Sequence, residues 1–260
     1  MRVLLVLIFL LFTPGFVAAA EETSPDQRFL EELLGRGLFR LAELHCRERL
    51  SAENLSQGVQ AELTLELIRV LQERALAAPG PEKKALEDQS REIYEEFRKK
   101  NPDCPWQLAV DFQYALGLLA QARRAEMEAH FALEPEEGLQ AAREIVREAI
   151  RRFLEIDAAR EEQTLKLAQE SKTSAPKAGK GGNSGKKGAK PASEPRDYSR
   201  FTGDGLSLFE LESLKNNVQF QLLLAYELQA ACYPEESLDR LNALKEAQSR
   251  ARNLTMVPSI

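Results

Sequence analysis

Leucine recurs at helical spacing through almost the whole chain, and this pattern constrains the fold more than any other feature. Leu outnumbers Val and Ile together, and the positions between the leucines are filled by Ala, Glu, Arg and Gln, which are strong helix formers. We find no run of alternating β-branched residues, and no Asn-Gly or Asp-Gly turn joins two such runs. The sequence therefore predicts an all-α protein.

Start and stop signals divide this pattern into eight helices. Ser24 to Gln27 has a capping Ser, a Pro at the first helical position and a Gln three residues after the Ser; Ser207 and Glu210 form a second capping box. Asp103 is expected to cap the fifth helix. The predicted helices span about residues 25–34, 38–50, 55–77, 81–100, 106–132, 135–169, 208–231 and 234–251. Because short turns join all of them except the sixth and the seventh, we expect antiparallel helical hairpins stacked side by side.

A lysine-rich segment, residues 171–196, interrupts the helical pattern. It contains no large apolar side chain, so it cannot offset the roughly 1–2 kcal/mol that ordering each residue costs, and we expect it to be disordered. Seven Lys and Arg residues against one Glu give it a charge of +6, whereas the whole chain carries −6. The helical remainder is therefore strongly acidic. The lysines available to a polyanion are Lys172, Lys177, Lys180, Lys186, Lys187 and Lys190.

The predicted domain organisation follows from this interruption. A helical-repeat region over residues 21–170 precedes the lysine-rich segment. A C-terminal helical hairpin within residues 197–260 follows it, and we expect that hairpin to pack on the same array.

The first 20 residues are typical of a secretory signal peptide. Arg2 gives the positive start, residues 3–12 form an apolar run, and small residues precede a cleavage site near Ala20. This run is about half the roughly 20 residues that span a bilayer, so cleavage is favoured over a retained anchor. No later stretch is long and apolar enough to cross a membrane. We expect an exported protein, periplasmic or extracellular, with no transmembrane segment in the mature chain.

The residues that usually carry catalysis are scarce. His45 and His130 are the only histidines, which leaves little material for a histidine metal site or a Ser-His-Asp enzyme. Cys46, Cys104 and Cys232 lie too far apart in the chain for a C-x-x-C motif or a zinc knuckle. The sequence therefore predicts no metal site, and whether any two cysteines pair is left open.

Paired glutamates give no second route to catalysis. Glu95-Glu96, Glu136-Glu137 and Glu161-Glu162 are adjacent in the chain, and we expect them on solvated helix faces. Glycoside hydrolysis needs two carboxylates that face each other across a cleft. Phosphate-loop, dinucleotide, zinc-protease and serine-hydrolase motifs are also absent. An enzyme with an active-site cleft between helical repeats is therefore the least favoured class, and no cofactor is expected.

The sixth predicted helix carries a heptad-like apolar seam. Its apolar positions step alternately by three and four residues, which is typical of a coiled coil. The seam consists of Leu139, Ala142, Val146, Ala149, Phe153 and Ile156.

The junction between the fourth and fifth helices resembles the junction between tetratricopeptide repeats. Tyr94 and Phe97 near the end of one helix are followed by Asn101-Pro102 and by a new helix that opens on Trp106. The helix pairs at 55–100, 106–169 and 208–251 would be the repeat units, although they are longer than the family's repeat of about 34 residues. The resemblance implies a short α-solenoid that binds partners on a concave surface, and it carries over no catalytic residues.

Two functions fit these features. The leading hypothesis is an exported, non-catalytic helical-repeat scaffold that mediates protein–protein interaction with a protein or peptide partner. The alternative is a structural or tethering protein of the cell envelope, which self-associates through the seam and contacts anionic lipid or polymer through the lysine-rich segment. Nucleic acid is not expected as a partner, because an exported protein rarely meets it.

Overall fold

The computed structural model describes residues 25–173, 201 and 205–255, and within these ranges it consists of eight α-helices without β-strands. The all-α prediction is confirmed. The helices are α1 (Pro25–Gly35), α2 (Phe39–Leu50), α3 (Gln57–Ala77), α4 (Gly80–Lys100), α5 (Gln107–His130), α6 (Pro135–Thr173), α7 (Leu208–Ala231) and α8 (Leu238–Thr255). The predicted signal peptide, the predicted cap Ser24 and the lysine-rich segment from residue 174 onward lie outside the described residues.

Side-chain caps set the starts of the two C-terminal helices. The Ser207 hydroxyl accepts a hydrogen bond from the Glu210 backbone N–H at 3.3 Å, and the Glu210 carboxylate accepts one from the Ser207 N–H at 2.7 Å. The predicted capping box is therefore present at α7. α8 begins at Leu238, later than predicted, because the Ser237 hydroxyl accepts from the Arg240 N–H at 3.2 Å.

The turn between α4 and α5 contains the predicted aromatic junction. Tyr94, Phe97 and Trp106 are all buried in the larger apolar core. The Asn101 backbone N–H and side-chain amide both donate to the Phe97 carbonyl, at 2.9 and 3.3 Å. α5 then begins without a side-chain cap, so the expected capping role of Asp103 is wrong. Aromatic burial organises this turn in place of a cap.

Helices that follow one another in the chain pack side by side. α2 packs on α3, α3 on α4, α5 on α6, α6 on α7 and α7 on α8, while α3 also lies along α5. In the α5–α6 pair, Ala129 lies beside Gly138, and Phe112 meets Phe153 at the other end. These two contacts show that α5 and α6 run in opposite directions.

Two apolar clusters hold the helices together, and α3 contributes to both. The larger cluster is built mainly from α5, α6 and α7 and includes Ile68 of α3. The smaller cluster joins α1, α2 and α3 and includes Leu67, Val70 and Leu71. Because α3 lies between the clusters, its residues 61–68 are all buried.

α6 is the longest helix, with 39 residues, and it carries the predicted seam. Ala142, Val146, Ala149 and Phe153 are completely buried, and the Phe153 ring meets the Phe112 ring of α5 edge to face at 5.9 Å. The seam is thus occupied inside the chain and is closed to a second copy. In the part of the chain described, no helix has both the length and the apolar character that crossing a bilayer requires.

Candidate binding surface

One side of α3 carries a line of acidic side chains, here called the carboxylate stripe. Glu62, Glu66 and Glu73 are spaced by 4 and 7 residues, which places them within about 40° of one another around the helix. Glu62 accepts a hydrogen bond from the side-chain amide of Gln27 in α1 at 2.8 Å. The Arg69 guanidinium approaches the Glu66 carboxylate at 3.6 Å. The stripe therefore holds three carboxylates, and the Arg69 guanidinium lies beside one of them.

The carboxylate stripe is sheltered from water. Glu62 and Glu66 are only 8% and 6% exposed. Burial raises the pKa of Glu73, and the positive charge of Arg69 partly offsets this effect. Charges in such surroundings are screened less than charges on an open surface, so they attract a cation more strongly. Burial therefore strengthens the contacts that these carboxylates make within the fold, such as the one between Glu66 and Arg69.

α3 is fixed beside α5 by an amide hydrogen bond and by close helix contact. The Gln113 side-chain amide donates to the Gln72 side-chain carbonyl at 3.0 Å. Gly117 makes room for Gln72, whose amide nitrogen lies 1.8 Å from the position that a Cβ on Gly117 would take. Further along, the Arg124 guanidinium donates to the Ala75 carbonyl at 2.9 Å. Because both contacts advance together, the two helices run in the same direction.

α5 and α7 each carry a row of mixed polar and apolar side chains. α5 also packs against α7, and each row has the spacing of three or four residues that keeps side chains on one side of a helix. The partly buried members of the rows are Gln113, Leu116 and Ala120 on α5 and Asn217, Phe220 and Leu224 on α7. The name three-helix face is used here for these two rows together with the carboxylate stripe.

The opposite side of α5 meets α4 and α6 in an aromatic junction. The rings of Tyr94 and Tyr114 stack with centroids 4.0 Å apart and planes 6° apart. The Arg152 guanidinium of α6 lies 5.7 Å from the Tyr94 centroid. Burial raises the pKa of the neighbouring Asp111 carboxyl, which accepts a hydrogen bond from the Gln107 amide at 2.7 Å. Both tyrosines are buried, so this junction holds helices together and leaves no room for a ligand.

A cavity of about 280 Å³ lies between α7 and α8. Its lining is polar and mixed in charge, and it consists of Tyr226, Gln229, Tyr233, Asp239, Asn242, Ala243, Lys245 and Glu246. The cavity is open to solvent on one side, and acidic and basic groups lie close together in it. It lacks the concentration of like charge that distinguishes the carboxylate stripe.

The lysines predicted to contact a polyanion lie at the edge of the described chain or beyond it. Lys172 belongs to the last turn of α6, where only the backbone is described. The others, namely Lys177, Lys180, Lys186, Lys187 and Lys190, lie outside the described residues. Their predicted role therefore stays a prediction.

The histidines and cysteines are dispersed through the fold. Cys46, Cys104 and Cys232 are buried and are not joined in disulfides, and burial raises the pKa of the Cys232 thiol to about 11. His45 meets the ring of a phenylalanine in α1, and His130 bonds to a glutamate one turn earlier in α5. Across the described ranges, no three His, Cys, Asp or Glu side chains gather in a way that could hold a metal ion.

The carboxylate stripe was not among the predicted site residues. Adjacent glutamates such as Glu95-Glu96, the pairs most visible in the sequence, have side chains that point about 100° apart on a helix. The glutamates of the stripe are instead 4 and 7 residues apart, and that spacing is the signal that could have found them. Their burial could not have been predicted, because it depends on which helices surround α3.

This chain matches no family model, no curated protein sequence and no solved structure. Its function therefore has to be inferred from the geometry and charge of its own surfaces.

Proposed function

We propose that this chain is an exported, non-catalytic helical-repeat scaffold that binds a protein or peptide partner on the three-helix face. The observation that carries the proposal is the fixed arrangement of α3 beside α5, in the same direction, through Gln72, Gln113 and Gly117. This arrangement joins the acidic side of α3 to the mixed row of α5 in one elongated surface. An extended or helical peptide needs a surface of this length, with apolar and charged positions along it.

The chemistry of the three-helix face limits the kind of peptide that can bind there. Leu116, Phe220 and Leu224 offer partly buried apolar positions in the middle and at one side. At the other side, the partly exposed Glu73 of the carboxylate stripe favours a Lys or Arg side chain of the partner. A peptide that combines a basic part with an apolar part therefore fits best.

The proposal uses the resemblance to tetratricopeptide repeats to assign the helices to repeat units. α3, α5 and α7 would be the first helices of successive repeat units, and α4, α6 and α8 the second helices. The buried aromatic residues Tyr94, Phe97 and Trp106 lie between the first two units. In such an array the first helices of the units line the concave binding surface, which is the role we propose for the three-helix face.

Export is the second part of the proposal, and it depends on the apolar run at residues 3–12 and the small residues near Ala20. We expect the mature chain to begin at or next to Glu21. N-terminal sequencing of the protein recovered from the cell envelope or medium tests this point. An intact Met1 on the exported protein, or its retention inside the cell, would contradict it.

A matched pair of substitutions tests the binding surface. Ala120→Arg places a long cation in the middle of the three-helix face, whereas Ala158→Arg makes the same change on the exposed side of α6. In cross-linking and capture from the natural envelope, Ala120→Arg should lose the partners that the native chain retains, and Ala158→Arg should keep them. Circular dichroism and thermal melting establish that both variants are folded. Equal capture by both variants would contradict the proposed surface.

A further inference from the structure

The helix α2 exposes leucines on the side that faces away from the core. Ala42 and Cys46 are completely buried in the smaller apolar cluster, which joins α1, α2 and α3. Leu41 and Leu44 point away from these two residues around the helix and are 53% and 61% exposed. Leu38, directly before α2, is exposed as well. Three large apolar side chains at one end of the helix stack are therefore in contact with water.

α8 repeats this arrangement at the other end of the stack. Ala243 and Ala247 are buried, whereas Leu238 and Leu241 are 76% and 47% exposed, and Leu244 is exposed as well. A helix at the outer end of a repeat stack usually has a polar outer face, because no further repeat covers it. Exposed leucines on the outer sides of both α2 and α8 therefore favour a contact with another molecule.

The exposed sides of the two helices share one spacing and carry opposite charges. Each has a leucine, a second leucine three residues later and a charged residue four residues after that. These are Leu41, Leu44 and Glu48, here called the α2 row, and Leu238, Leu241 and Lys245, here called the α8 row. Steps of three and four residues keep side chains on one side of a helix, as in a coiled coil. Glu48 and Lys245 are both exposed, so the two rows match in spacing and are complementary in charge.

Neighbouring charges do not cancel this complementarity. Arg47 is paired with Glu43 within α2, at 3.0 Å. Glu246 points about 100° away from Lys245 around α8. The charge that follows the leucines is therefore negative on α2 and positive on α8.

We propose that copies of this chain associate head to tail, with the α2 row of one copy lying along the α8 row of the next. In a parallel pairing the leucines of the two rows meet, and Glu48 of one copy lies opposite Lys245 of the other. Because the two rows are different surfaces, each copy keeps one row free after the first contact, and assembly continues beyond two copies. The apolar seam of α6 is covered by α5 and takes no part in this contact.

Pairing a row with a copy of itself fits less well. Two α2 rows in the same direction place Glu48 against Glu48, and like charges repel. Two α2 rows in opposite directions, with Leu41 meeting Leu44, place Glu48 beside Gly37 and leave it without an opposite charge. The α8 row meets the same difficulties with Lys245. Of these pairings, only the head-to-tail one joins both the leucines and the opposite charges.

The contact should be weak. Each row offers two leucines and one charge, so we expect the interface to lie below the roughly 1,200–2,000 Å² that stable complexes bury. Self-association should therefore appear as a molecular mass that rises with concentration, over about 1 µM to 1 mM. This association goes beyond the proposed function and is measured without any partner. Its failure and the failure of partner binding are therefore separate results.

Sedimentation velocity of variants with one row disabled tests the head-to-tail contact in the mature full-length chain. The α2-row variant is Leu41→Gln with Leu44→Gln, and the α8-row variant is Leu238→Gln with Leu241→Gln; glutamine has a helix propensity close to that of leucine. Each variant alone should weaken self-association at least about tenfold, because it loses apolar contacts across the interface. Mixed in equal amounts, the two variants should form a complex of two chains and nothing larger, because each supplies the row that the other lacks.

The matched control changes two exposed leucines of α6, namely Leu154→Gln with Leu165→Gln. It should associate as the native chain does, and circular dichroism establishes that all variants are folded. The proposal is wrong if the native chain stays monomeric over the whole concentration range, or if the control weakens association as much as the row variants do. A mixture of the row variants that stays monomeric would also overturn it, and so would undiminished association of either row variant alone.

Exchange of the two charges tests the parallel pairing. Glu48→Lys and Lys245→Glu should each weaken association about threefold, because each places like charges opposite each other. The chain with both changes should recover the native affinity, since the opposite charges have only exchanged sides. Added salt should reduce the differences among these variants. If the double variant associates no better than the single variants, Glu48 does not face Lys245 and the proposed pairing is wrong.

Discussion

Two tyrosines in this fold lie between pairs of arginines, one inside the molecule and one at its surface. The Tyr94 ring has the guanidiniums of Arg98 and Arg152 at 5.7 Å each. The Tyr233 ring, in the turn after α7, has those of Arg143 and Arg147 at 5.3 and 5.9 Å. Tyr94 is 2% exposed, whereas Tyr233 is only partly buried. The same contact between tyrosine and arginine is therefore made once in the core and once near the surface.

Burial decides what each pair contributes. Tyr94 stacks on Tyr114 and joins α4, α5 and α6 within the larger core. Removing its ring would leave a cavity, and Arg152, whose side chain is largely buried, would lose a partner that water does not readily replace. Tyr233 attaches the turn after α7 to the surface of α6, where water replaces a lost contact. We therefore expect the inner pair to be important for folding and the outer pair to be dispensable.

The largest expected effect is that of Tyr94→Ala. Truncating a fully buried aromatic residue costs about 3–5 kcal/mol of unfolding free energy, since it removes apolar contacts and leaves a cavity. Urea denaturation followed by circular dichroism measures this loss. A loss below about 1 kcal/mol would show that the junction is not the centre of the core.

The arginine beside the buried ring should matter next. Arg152→Ala removes a guanidinium from Tyr94 and ion pairs with Glu148 and Glu155, at 2.8 and 3.4 Å. We expect a loss of about 1–2 kcal/mol. Arg147→Ala, the corresponding change at Tyr233, should cost less than about 0.5 kcal/mol. Equal losses in the two variants would remove the distinction between the inner and outer pairs.

Asp111→Asn tests the electrostatics of the inner junction. Burial holds the pKa of Asp111 above its usual range, so the folded chain keeps the proton to a higher pH than the unfolded chain does. The stability that this group contributes is present in acid and is lost as the pH rises through the raised pKa. The asparagine variant carries no such charge, so it should gain on the native protein, by on the order of 1 kcal/mol, between about pH 4 and 7.

The pH dependence has its own control. Asp103→Asn changes an exposed carboxylate in the turn before α5 and should leave the stability curve unchanged. If Asp111→Asn instead destabilised the protein more at pH 7 than at pH 4, its carboxylate would have to be stabilised by Arg98, at 3.8 Å, more than burial destabilises it.

Tyr233→Ala, which removes the outer ring, should cost far less than Tyr94→Ala. It removes an exposed cation–π contact and a hydrogen bond from Arg147, and we expect a loss of about 0.5–1 kcal/mol. Thermal melting beside Tyr94→Ala gives the comparison directly. A loss as large as that of Tyr94→Ala would mean that α8 depends on this turn for its place.

Much of the helical layout was predictable, because it depends on neighbours in the chain. The Ser207–Glu210 capping box and the aromatic residues Tyr94 and Phe97 were both predicted and both found. The failures were also local: Asp103 does not cap α5, and α8 begins after Ser237. At α5 no side chain caps the helix, and buried aromatic residues organise the turn. At α8 the cap is Ser237, a few residues after the predicted start.

The binding surface could be predicted much less well. The contact between Gln72 and Gly117 joins residues 45 positions apart in the chain, and the place of Phe201 on Gly58 joins residues even further apart. Neither position has a sequence pattern of its own. The apolar seam of α6 has a clear sequence pattern, but the pattern does not say which helix will cover it. In the structure, α5 of the same chain packs on it.

The sequence by itself determined that this protein is helical, where its helices lie and where its charge is concentrated. Propensity, capping and apolar spacing act over a few residues, so they can be evaluated from the chain alone. The tertiary structure alone decided which side of α3 holds sheltered carboxylates, which tyrosine is buried and where the chain returns after the lysine-rich segment. Those outcomes depend on burial, and burial is a property of the neighbours that a helix acquires only when the whole chain has packed.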